Sequence, residues 1–128
     1  MQEQHLFEYA TIRVVPHVER EEFVNAGVIL YCGKLKFLDV IVELNEKRIH
    51  ALCEKIDLDE LEGHVHSFKK ICAGGNDAGP IGKLPLAERF RWLTATRSTV
   101  LQTSKVHPGF CDDPREMLER LYRQMVML

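Results

Sequence analysis

Two apolar runs, residues 23–32 (FVNAGVILYC) and 35–43 (LKFLDVIVE), stand two residues apart with Gly33 between them. Runs so rich in β-branched and aromatic side chains read as strands. A connection that short joins them only as an antiparallel hairpin. Residues 6–15 (LFEYATIRVV) read as an earlier strand, ended by Pro16 and followed by the charged connection Glu19-Arg20-Glu21-Glu22. A three-stranded meander is therefore the first structure this chain dictates. In the second strand the even positions Val24, Ala26, Val28, Leu30 and Cys32 are all apolar and predict one buried face. Asn25 and Gly27 sit among its odd positions, and a glycine inside a strand signals a bulge or a close backbone approach.

The rest of the chain reads mainly as helix. Asn45 caps a short helix carrying Ile49, Leu52, Cys53 and Ile56. Asp57 opens a second helix, with Glu60 three residues on as in a capping box, and Leu58, Leu61, Val65, Phe68, Ile71 and Cys72 form its apolar stripe. Residues 73–85 (AGGNDAGPIGKLP) hold four glycines and two prolines and predict an irregular loop, the natural place for a hinge or lid. Residues 86–93 read as helix and 99–103 as a short strand, and 105–111 reads as an irregular connection broken at Pro108-Gly109. Asp113, Pro114 and Glu116 give the last helix the strongest start signal in the chain. Met117, Leu118, Leu121, Tyr122, Met125 and Leu128 line one side of it. Strands first and helices in a block predict an α+β fold. The expected form is an antiparallel sheet of three to four strands, meander first, with helices packed on one face.

A chain of 128 residues suits one domain spanning 1–128 and buries enough surface to fold without disulfides or metal. The net charge of −2 argues against a general nucleic-acid binder. Charge is uneven, however: residues 43–63 carry −4, and residues 83–105 carry +4, a segment suited to an anion or an acidic partner. The polar start, Met1 to His5, lacks the pattern of a signal peptide, and no apolar run is long enough to span a membrane. Four widely spaced cysteines (Cys32, Cys53, Cys72, Cys111) then read as reduced thiols of a cytoplasmic protein.

Most catalytic and cofactor patterns are incomplete. Gly82-Lys83 resembles the end of a phosphate loop, but Asp77 stands where its first glycine belongs and Leu84 replaces the magnesium-binding hydroxyl. No Cys-x-x-Cys or His-Glu-x-x-His pair is present; His50 and Cys53 are three apart on a helix, and no metal or cofactor is expected. Ser104, His107 and Asp112 or Asp113 supply the residue types of a hydrolytic relay, which only the fold can bring together. Arg13 is the most unusual residue, a charge between Ile12 and Val14 in mid-strand. Arg13, Asn25, Arg91 and a carboxylate from Glu21 or Glu22 form a candidate polar site on the sheet. The same residues also serve as a structural network, Asn25 satisfying a bulge and Arg13 pairing with a carboxylate. Trp92, between Arg91 and Arg97, suits a core, a partner-binding hot spot or a stacking platform.

Together these residues carry a resemblance. Tyr9, Arg13 and Pro16, then Glu22-Phe23-Val24-Asn25-Ala26-Gly27-Val28, then Arg91, then Gln102-Thr103-Ser104 with His107, resemble the bacterial domain-of-unknown-function family 3037 along nearly the whole chain. The resemblance supplies no catalytic residues. It implies a bacterial cytoplasmic protein, encoded beside a HipA-like kinase, with an accessory or toxin–antitoxin role. The leading expectation is a non-enzymatic interaction protein that binds a protein partner such as that kinase, its methionine-bearing last helix suiting such a surface. The alternative is a small enzyme or ligand-binding domain for an anionic or phosphorylated molecule held by Arg13, Asn25, Arg91 and His107, with Glu22 and Ser104 nearby. A homo-oligomer is compatible with either.

Overall fold

The computed structural model describes residues 4–127. Strands β1 (His5–Val14), β2 (Val24–Cys32) and β3 (Phe37–Val42) form the expected meander. Helices α1 (Glu46–Leu52), α2 (Leu58–Ala73) and α3 (Leu86–Leu93) follow, then β4 (Leu101–Thr103), β5 (His107–Cys111) and α4 (Pro114–Met125). All neighbouring strands are antiparallel, in the order β3-β2-β1-β4, with β5 also on β1. The fold is thus α+β, an open antiparallel sheet that begins as a meander.

Residues 105–111, expected as an irregular connection, hold a strand instead. β4 runs beside Ile12–Val14, and β5 continues along the same edge of β1 beside His5–Tyr9. The two segments fill one strand position, so the sheet is four positions wide. An edge strand needs donors on one side only and tolerates Pro108. Between the segments Ser104–Val106, three residues, pass Thr11 and Ala10, two residues.

The helix starts follow the sequence. Asn45 accepts from the Arg48 N–H, Asp57 from Glu60, and Asp113 from Arg115 and Glu116, so side-chain oxygens satisfy the open first turns.

A bulge decides which face each β2 residue takes. Ile12 opposes Gly27 while Arg13 opposes Asn25, which leaves Ala26 as an extra residue. The even positions of β2 therefore do not share one face as expected. Ala26 joins Ala10, Ile12, Val14 and Ile29 under Ile49 of α1, Leu61, Val65, Phe68 and Cys72 of α2, and Phe90 and Leu93 of α3. Val28, Leu30 and Cys32 pack with Phe7 and Cys111 under Leu118, Leu121 and Tyr122 of α4. Because β1 and β2 are apolar on both sides, both faces require cover. α4 supplies it on the side opposite α2 and α3, so the helices divide between two faces rather than gathering on one. Leu128, expected on the α4 stripe, lies outside the described residues.

The loop 73–85 is more ordered than its composition predicts. Short 3-10 turns at Asn76–Ala78 and Ile81–Lys83 organise it, and the Gly75 N–H closes it on the Gly82 carbonyl at 3.1 Å. Arg89, 9% exposed, fastens it from within. Its guanidinium donates to the carbonyls of Leu84 (2.9 Å), Ile71 (3.2 Å) and Cys72 (2.8 Å), tying the end of α2 to the start of α3.

All four cysteines are free, and only Cys53 is not buried. Burial, and then Asp39, push the Cys72 thiol from 9.0 up to about 12, with Arg89 opposing. Burial comes first also among the causes that raise Cys111 and Tyr122. An acid whose folded pKa is raised stays protonated in the native state after the unfolded chain has begun to ionise. Stability is therefore complete below the unfolded pKa and falls as pH rises through the window from about 9 towards 12 set by Cys72. The expected slope is at most about 1.4 kcal/mol per pH unit for each such group. Urea midpoints at pH 8 and pH 10 check this; equal midpoints would contradict it.

Candidate binding surface

Arg13, on β1, is half-buried. In register it lies between Asn25 of β2 and Gln102 of β4. Its guanidinium lies over the Phe23 ring, 4.0 Å from the centroid. The Arg13 Nε is shielded from solvent and has no hydrogen-bond acceptor among the described residues. Nor does any described carboxylate lie within ion-pair distance of Arg13.

Asn25 has a structural task. Its Nδ2 donates to the Met125 carbonyl at 3.1 Å, and Arg48 donates to the Val126 carbonyl at 3.1 Å. Together they satisfy open carbonyls at the end of α4 and fasten it to the bulge.

The other sequence candidates do not join Arg13. Glu22 pairs with Arg20 at 2.6 Å. Arg91 is exposed on α3. His107 is exposed on β5 and tilts against Tyr9 with ring centroids 5.5 Å apart. Ser104 is buried: its Oγ accepts from the Thr11 N–H at 2.9 Å and donates to the Lys105 carbonyl at 2.9 Å. The hydroxyl thus replaces a ladder carbonyl between β4 and β5, and its proton goes to Lys105 rather than to His107. Asp113 is engaged as the α4 cap. Ser104→Ala is expected to strand the Thr11 N–H and lower stability by about 1–3 kcal/mol in urea unfolding. A change below about 0.5 kcal/mol would contradict that role.

The cleft that Arg13 lines is shared with Arg97. It measures about 430 Å³, and Phe23, Thr96, Ser98, Gln102 and Glu21 line it too. After α3 ends, Arg97 folds back over Trp92, its Cζ 4.3 Å from the ring centroid. It donates to the Leu93 carbonyl at 3.2 Å and also to the Trp92 carbonyl. A cation returning to a helix C-terminus is electrostatically favoured, which is the one sequence signal that distinguishes Arg97 from Arg91. Partial burial lowers the Arg97 pKa from its ordinary value. A shallower recess behind Arg97 adds Trp92, His64, Ser67 and Ile71, so one surface runs from Phe23 to α2. Phe23 is 43% and Trp92 41% exposed, each with a guanidinium on its ring.

No group of three metal-ligating side chains gathers among the described residues. No described helix is long and apolar enough to cross a membrane.

Compared with known families, the chain matches the model described as "Protein of unknown function (DUF3037)" over residues 9–126. No curated protein and no solved structure matches it.

Proposed function

The chain belongs to the DUF3037 family, and from that premise we propose that it is a non-enzymatic accessory protein of the bacterial cytoplasm that binds a protein partner. The observation that carries this reading is the pair of exposed aromatic rings, Phe23 and Trp92, each held under an arginine beside one cleft. Tryptophan and arginine are the side chains most enriched in binding hot spots. A guanidinium stacked on a ring gives up less freedom on docking than a mobile one. The basic segment 83–105, which includes Arg97, favours a partner with an acidic face. The HipA-like kinase implied by the resemblance is the first partner to test.

Calorimetry of the purified chain with that kinase is the direct experiment. Binding is expected, and Trp92→Ala is expected to weaken it at least about tenfold, equivalent to about 1.4 kcal/mol. No binding to the kinase, together with no stoichiometric protein retained by a tagged copy at native expression, would overturn the reading.

A further inference from the structure

We propose that the cleft between Arg13 and Arg97 is an oxyanion site, built to receive a carboxylate or phosphoryl group. The inference rests on the partner-binding reading for its biological setting and on the cleft alone for its chemistry. Arg13 supplies the strongest evidence. One face of its guanidinium is covered by Phe23, so acceptors must approach in its plane. Its Nε lacks both solvent and an acceptor among the described residues. That Nε is sealed from the cleft as well, and the buried Oδ1 of Asn25, the residue opposite Arg13 on β2, is equally unpaired. An anion would therefore meet the terminal guanidinium nitrogens of Arg13, which have no carboxylate partner among the described residues.

The surroundings suit an anion. Arg97 faces the same space and has no carboxylate partner among the described residues. Its hydrogen bonds go to two backbone carbonyls, which leave its positive charge unneutralised. Thr96 and Ser98 add hydroxyl groups, while the Gln102 amide already donates to the Thr99 carbonyl at 2.7 Å. Among the described residues Glu21 is the single acid lining the cleft, and it is exposed on the β1–β2 connection. Two cations against one acid leave the cleft with net positive charge. The remaining donors fit the several lone pairs of a carboxylate or phosphate. Carboxylate and phosphoryl groups share this chemistry, and the experiment separates them.

The test is an NMR titration of the full chain labelled with 15N-arginine, read at the arginine Nε–H resonances with no partner present. Inorganic phosphate and N-acetylglutamate are the two probes, and sodium chloride at matched ionic strength is the reference. The Arg13 and Arg97 resonances are expected to move together and saturably, while those of exposed Arg120 and Arg123 follow the chloride reference. Tighter binding of phosphate assigns a phosphoryl ligand, and comparable or tighter binding of N-acetylglutamate assigns a carboxylate. Arg97→Gln leaves Arg13 on Phe23 and is expected to weaken either probe by roughly fivefold or more. An Arg13 resonance that moves with neither probe overturns the proposal, its donor then being satisfied by water or by the orphaned Asn25 Oδ1. Equal affinity in Arg97→Gln overturns it as well. Because no partner is present, a failed titration leaves protein binding standing, and a successful one stands even where no protein partner binds.

Discussion

Gly27→Ala is expected to lower stability by about 3 kcal/mol or more, although it adds a single methyl group. Gly27 lies where the bulged β2 runs close against Ile41 and Val42 of β3. A Cβ there would sit 2.4 Å from the Ile41 carbonyl oxygen and 2.8 Å from Val42 Cγ2. Backbone cannot rotate away as a side chain can, so the β2–β3 ladder must open to admit the methyl. That opening also disturbs the bulge by which Asn25 reaches the end of α4. Urea unfolding measures the loss. A variant within about 1 kcal/mol of the parent would contradict the close approach.

Arg89→Met is expected to cost about 3 kcal/mol. Methionine fills similar volume but leaves the carbonyls of Leu84, Ile71 and Cys72 without the donor they share. The effect should be local as well as global: amide exchange across residues 74–85 should accelerate more than exchange in β1. Gly74 reports the same contact from the other side. It has φ 78°, and a Cβ would lie 2.4 Å from Arg89 Nη1. A variant with parental stability and unchanged exchange in the loop would show that Arg89 does not hold it.

Much of this architecture is legible in the residues because local chemistry determines it. Asn45, Asp57 and Asp113 each accept from backbone N–H groups in their own first turns. The meander follows from the spacing of its apolar runs, and Gly27 beside Asn25 announces the bulge. The consequence of the bulge is not legible. Alternation puts Val24 to Cys32 on one face, whereas one extra residue sends Ala26 to one core and Val28 to the other. β5 is hidden because Pro108-Gly109 breaks most strands, and its edge position is a tertiary property. The loop 73–85 reads as free because the side chain that fastens it lies beyond its end, at Arg89.

The candidate surface divides along the same line. Arg13 stands out in the sequence because a charge amid β-branched residues needs a special setting. Asn25 stands out as a polar side chain in an apolar strand, but its Nδ2 serves the α4 terminus. Choosing between Arg91 and Arg97 depends on where α3 ends and the chain turns. Arg91 remains on the helix, and Arg97 returns across Trp92. Ser104 and His107, close in sequence, part because Ser104 fills the gap between β4 and β5 while His107 lies against Tyr9.

The proposed partner surface runs from Phe23 through Arg13 and Arg97 to Trp92. Amide hydrogen exchange of the chain, free and saturated with the kinase, tests it most directly. Slowed exchange is expected in residues 13–23 and 92–102, with the outer face of α4 unchanged. Protection confined to α4 or to the β5 edge, with none at Phe23 or Trp92, would contradict it.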